Sequence, residues 1–172
     1  MKSGIRRPTS FEILGHGFAP IYKKGVKGKY QLIIGKSSWE GLKRKLKRTS
    51  KKTHPYSLSE RIRLIKTIYQ GWINNFRQAS IYTKLKKLDE WLRNRLRYCI
   101  WNAWKKRDRK RKNLIRLGVE QGQAYAWSRT RMGGWAVAQS PMLKTTITIS
   151  RLKRRGYEPM VDYFSKFQTS IW

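Results

Sequence analysis

The 172-residue chain carries 41 Lys+Arg against 9 Asp+Glu, a formal net charge of +32. A compact fold with that excess repels itself unless a polyanion neutralises it, and nucleic acid is the usual one. Eight Trp, nine Tyr and five Phe argue against the disordered class that a mean hydropathy of −0.74 would otherwise suggest, and the length suits one domain, or one plus a fragment, with a sizeable core.

The N-terminal "MKSGIRRPTSFEILGHGF" has basic residues but no apolar core of the secretory kind, so no secretory signal is read there. Over residues 1–36 the apolar runs "FEILGHGFAP" and "KYQLIIG" flank the glycine-rich "KKGVKGK", which predicts a short β-hairpin, although runs of that length leave helix open. Ser37 to Glu40 has the spacing of a capping box, and Trp39, Leu42 and Leu46 then share a helical face. Lys43, Arg44 and Lys47 on the same segment are candidate phosphate contacts.

A second box, Ser57 to Glu60, follows the loop-like "TSKKTHPY". Leu58, Ile62, Ile65, Tyr69, Trp72 and Phe76 step by threes and fours and predict the most clearly patterned helix. Beside them runs a polar row of Arg63, Lys66, Gln70, Asn74 and Arg77. Such a row is either a solvated face or a line of donors along a phosphate backbone, and the charge excess brings the two readings level.

A third helix is predicted over 81–106, with Leu85, Leu88, Leu92, Leu96, Cys99 and Ala103 as its buried stripe. Cys99 is then a small core residue, and as the single cysteine it excludes an internal disulfide framework and a multi-cysteine zinc site; a reducing, intracellular compartment fits. Trp101 lies about 180° around the helix from Leu92. With Trp104 it faces the side of Arg93 and Arg97, where an exposed indole could stack on an unpaired base; the competing reading packs Trp101 beneath the C-terminal helices. Trp91 sits on the opposite flank.

The run "KKRDRKRK", seven basic residues of eight, supplies Lys105, Lys106, Arg107, Arg109, Lys110 and Arg111 as sequence-independent phosphate contacts. Further on, "MGGWAVAQSPML" is the longest uncharged run and falls short of the roughly 20 apolar residues that span a bilayer, so no membrane helix is predicted. Ser140 and Pro141 read as N-cap and first helical residue, Gly156 as a helix stop, and a last helix is predicted over about 158–167. There is no internal repeat.

No catalytic or metal site is predicted and no cofactor is expected. Asp89 and Glu90 are adjacent acids that point about 100° apart on a helix, and His16 and His54 stand alone in loops. The glycines at 15–17 and 25–28 lack a phosphate-loop pattern.

In their order, "SSWEGLKRKLKR", "SLSERIRLIKTIYQGWINNFRQAS", "LDEWLRNRLRYCIWNAWKK", "NLIRLGV" and "AYAWSRTRMGGWAVAQSPML" resemble the thumb and maturase-specific X domain of group II intron reverse transcriptases. "SFEILGHGFAP" and the hairpin after it resemble the last motif of that family's polymerase domain. The family's Tyr-x-Asp-Asp signature does not occur. Asn75 stands where an aromatic commonly follows "GWIN", and positions 134 and 136 hold Gly and Ala where bulkier or basic residues are frequent.

The resemblance implies a mainly α fold: a hairpin remnant of the reverse transcriptase palm over 1–36, a helical thumb and maturase-specific domain over 37–112, and the C-terminal helical part of the X domain over 113–172. It implies binding of group II intron RNA and assistance to its folding and splicing, from a truncated or split reading frame without polymerase activity of its own. The alternative is one piece of a reverse transcriptase completed in trans by a separately encoded palm. The expected location is the bacterial cytoplasm or an organellar matrix.

Overall fold

The structure, a computed structural model, describes residues 11–20 and 30–169. The glycine-rich centre of the predicted hairpin lies outside these residues. Strands β1 (Phe11–Ile13), β2 (His16–Pro20) and β3 (Tyr30–Ile34) form an antiparallel sheet in the order β1-β2-β3. The two apolar runs do pair, Gly17 with Ile33 and Phe18 with Leu32, and the first run also folds on itself. The turn between β1 and β2 needs positive φ at both central residues, here 51° at Leu14 and 78° at Gly15, the geometry that matches strand twist. A side chain at Gly15 would run into Ser38 Oγ and press on the Phe76 ring, so the turn rests on the helical body.

Helix α1 (Lys36–Thr49) follows β3 directly. Its N-cap is Gly35, in extended conformation, and not Ser37: the chain leaves the sheet already aimed along the helix axis, and Ser37 falls inside the first turn. Helix α2 (Leu58–Phe76) starts as predicted, with Ser57 Oγ accepting from the Glu60 amide at 3.2 Å. Ile62, Ile65, Tyr69 and Phe76 are buried, joined by Ile73, while Leu58 and Trp72 are half-buried. The Trp72 ring lies 5.7 Å from Trp39 of α1 and 4.7 Å from Phe76.

Helix α3 (Tyr82–Ala103) is the centre of the fold, packed against α2 and the later helices. It ends three residues short of its predicted 106. Leu85, Leu88, Leu92, Leu96 and Cys99 are buried as predicted; Ala103 is exposed because it sits in the final turn, beyond the helices that cover the rest. A second buried stripe, Asn94, Arg97 and Trp101, lies on the face that the sequence assigns to solvent.

Six further helices follow among the described residues: α4 (Arg107–Arg116), α5 (Gln121–Ser128), α6 (Gly134–Gln139), α7 (Pro141–Thr146), α8 (Ile149–Arg154) and α9 (Met160–Thr169). Helix α4 runs through the expected division at 112/113. Pro141 opens α7 as predicted. Gly156, at φ 92°, ends α8: its amide donates to Lys153 O and the Tyr157 amide to Leu152 O, while Leu152 and Tyr157 are both buried. Asp89 of α3 is 2 % exposed and accepts from Tyr157 Oη at 2.8 Å, Met160 N at 2.9 Å and Val161 N at 3.0 Å. It therefore satisfies the first free amides of α9 from outside the helix, which fixes α9 against α3.

Candidate nucleic-acid interface

The buried arginines define what the fold does with its charge. Arg61 is 3 % exposed and donates to the carbonyls of Thr49, Lys51 and His54, pinning the loop between α1 and α2. From α3, Arg95 donates to Ser50 Oγ at 2.6 Å and to the Lys47 and Ser50 carbonyls. Arg97 donates to Ile147 O and Asn94 Oδ1, and Arg151 to Leu117 O. Every acceptor is neutral. Among the described residues the ion pairs use Lys43, Lys66, Lys144, Lys153 and Lys166, and no arginine pairs with a carboxylate. Folding thus bonds these four arginines to neutral acceptors and to no carboxylate, and burial pushes the pKa values of Arg95 and Arg97 down from the usual arginine range.

The polar row on α2 borders the C-terminal helix. Lys66 pairs with Glu158 at 3.2 Å, Gln70 Nε2 donates to Glu158 Oε2, Asn74 Oδ1 accepts from Tyr163 Oη, and Arg77 lies over the Phe167 ring at 6.0 Å. These four line the seam between α2 and α9, where Asn74 and Arg77 stay exposed, as does Arg63 one turn before. On α3, Arg93 is half-buried near Asp89 and Tyr157. Arg97 is 5 % and Trp101 3 % exposed, so neither side chain reaches solvent. The Trp101 ring meets Trp104 edge-on at 5.9 Å and carries Lys110 Nζ over its face at 4.3 Å. The burial reading of Trp101 therefore holds, and the stacking reading is corrected by the α4 and α6 helices that close over it.

The remaining candidates stay at the surface. Arg44 and Lys47 are exposed on α1, where Lys43 pairs with Glu40 at 2.6 Å. Lys105, Lys106, Arg107 and Arg109 are exposed at the start of α4, whereas Lys110 and Arg111 turn inward and are half-buried.

A cleft of about 670 Å³ opens between the 50–57 loop, the start of α2, the end of α3, α4 and α8. Its walls bring in six basic residues, Lys52, Arg61, Lys105, Arg116, Arg151 and Arg155, and no Asp or Glu. His54, Tyr56 and Trp104 supply rings, those of His54 and Tyr56 being stacked at 5.4 Å and 22°. Sequence periodicity misses this site because its residues come from helix ends and a loop, and neither a 3.6- nor a 2-residue period marks them. The only local signal is the "KKTHPY" loop.

Among the described residues no group of three His, Cys, Asp or Glu is placed to hold a metal ion, and no helix is long and apolar enough to cross a membrane. Residues 40–118 match the family model of the group II intron maturase-specific domain. No curated protein matches the chain.

Proposed function

We propose, from the match of residues 40–118 to the family model of the group II intron maturase-specific domain, that the chain binds group II intron RNA and assists its folding and splicing. The observation that carries this reading is the way the fold handles its arginines: it bonds its buried guanidiniums to carbonyls, keeps further cations exposed on α1 and α4, and gathers others around an acid-free cleft. An RNA backbone supplies the missing anions, and an irregular RNA also supplies the unpaired bases that duplex lacks. Competition binding tests it: a folded group II intron RNA should displace a duplex RNA of equal length, and equal affinity for the two would leave only a polycation.

A second reading, one piece of a reverse transcriptase whose palm is separately encoded, is favoured by the apolar surface at the sheet. Ile13 is 55 %, Leu14 92 % and Tyr30 49 % exposed there, a surface that a palm would cover. On either reading the chain alone should give no template-dependent synthesis in a primer-extension assay.

A further inference from the structure

We propose that the cleft between the 50–57 loop, α3, α4 and α8 receives one unpaired nucleotide of the bound RNA, its base against the Tyr56 ring and its flanking phosphates on Lys52, Lys105, Arg116 and Arg155. The inference rests on the RNA-binding reading and adds a particular docking point to it. Four observations converge.

The first is charge. The cleft wall has no carboxylate, and of its six cations Arg61 and Arg151 are bonded to carbonyls, which leaves Lys105, Arg116 and Arg155 with Lys52, whose Nζ lies 5.5 Å over the Tyr98 ring, around one opening. Cations that repel one another in an empty cleft are stabilised when a phosphodiester enters, and low-dielectric walls focus their field. The second is a flat platform: Tyr56 is 38 % exposed, and the His54 ring stacked on it supports it from one side. A base face fits such a platform whatever its sequence.

The third is preorganisation. The loop that carries both rings is held by Arg61, whose guanidinium reaches three of the carbonyls at 49–54 from a buried position. Little ordering entropy then remains to oppose binding. The fourth is capacity: about 670 Å³ falls within the ~300–1,000 Å³ usual for small-ligand pockets. Asn113, in the wall, carries a side-chain amide that can meet a base edge. An acidic peptide would satisfy the cations but leave the ring platform unused. A base inside a duplex cannot reach it.

The test uses two hairpin RNAs that differ by one bulged nucleotide, with binding measured on the whole chain. The wild type should prefer the bulged hairpin about tenfold, a ratio within the range of one base stacked on an aromatic. Tyr56→Ala should abolish the preference, Tyr56→Phe should keep it, and Arg116→Ala with Arg155→Ala should weaken the bulged RNA more than the paired one. Thermal melting checks the fold of each variant; if Tyr56→Ala does not fold, the arginine pair decides. A preference untouched by these changes, in a wild type that binds RNA, would overturn the nucleotide site and leave RNA binding standing. Displacement of bulged RNA by polyglutamate with Tyr56→Ala silent would assign the cleft to an acidic peptide instead. Failure of the wild type to bind either RNA would remove both readings.

Discussion

Lys110 stands over the face of Trp101, its Nζ 4.3 Å from the ring centroid, so the basic run lies directly across an indole that is 3 % exposed. This pairing couples two features that the sequence presents separately: the tryptophan on the far side of α3 and the charge of α4. A cation placed on a buried indole is worth about 0.5–2 kcal/mol, and burial lowers the Lys110 pKa from the usual lysine range.

Trp101→Ala should therefore behave as a core truncation, destabilising the fold by about 3–5 kcal/mol in urea unfolding. Affinity for looped and duplex RNA should fall together, in proportion to the unfolded fraction. A stable variant deficient only in loop binding would return the indole to the surface.

The Lys110–Trp101 pair also divides the basic run. Arg107→Ala with Arg109→Ala should leave the melting temperature nearly unchanged and reduce the slope of log K against log salt by about 0.7–0.9 for each phosphate that is no longer neutralised. Lys110→Ala should lower the melting temperature more than it changes the slope. Salt titrations of the two variants, side by side, make the comparison.

Asp89→Ala removes the acceptor for three donors and leaves the Met160 and Val161 amides and the Tyr157 hydroxyl unsatisfied. Each stranded buried group costs about 1–3 kcal/mol. Hydrogen exchange should show α9 opening first, and uniform loss of protection across all helices would argue against a local clamp.

Two carboxylates near the start of α9 should titrate with opposite sign. Burial raises the Asp89 pKa against its three hydrogen bonds, so its contribution is complete below the ordinary aspartate range and declines as pH rises through the raised value. For Glu158 burial acts upward, but Lys166 at 2.5 Å and Lys66 at 3.2 Å outweigh it and the pKa is lowered. That contribution is present above the ordinary glutamate range and disappears as pH falls through the lowered value. The melting-temperature difference between wild type and Glu158→Gln should accordingly shrink on acidification; a difference that grows would contradict the pairing.

The sequence shows where the helices lie better than it shows what covers them. Ser57, Pro141 and Gly156 act as predicted because caps and stops are local chemistry. Ser37 does not cap, since the tertiary path out of β3 places Gly35 there. Asn74 and Arg77 keep their exposure but gain contacts with Tyr163 and Phe167 of α9, and Arg97 reads as surface until the carbonyl of Ile147 comes within 2.9 Å. One amphipathic stripe is visible in α3, while its second buried face is covered only by partners distant in the chain. The cleft depends on the same long-range assembly, which no spacing rule encodes.

The most direct measurement of the proposed role is the splicing rate of a group II intron RNA at a magnesium concentration too low for efficient self-splicing, with and without the chain. A maturase should raise the rate, and Arg107→Ala with Arg109→Ala should raise it less at the same RNA occupancy. An unchanged rate with the RNA fully bound would contradict a maturase role, leaving a domain that coats RNA without helping it fold.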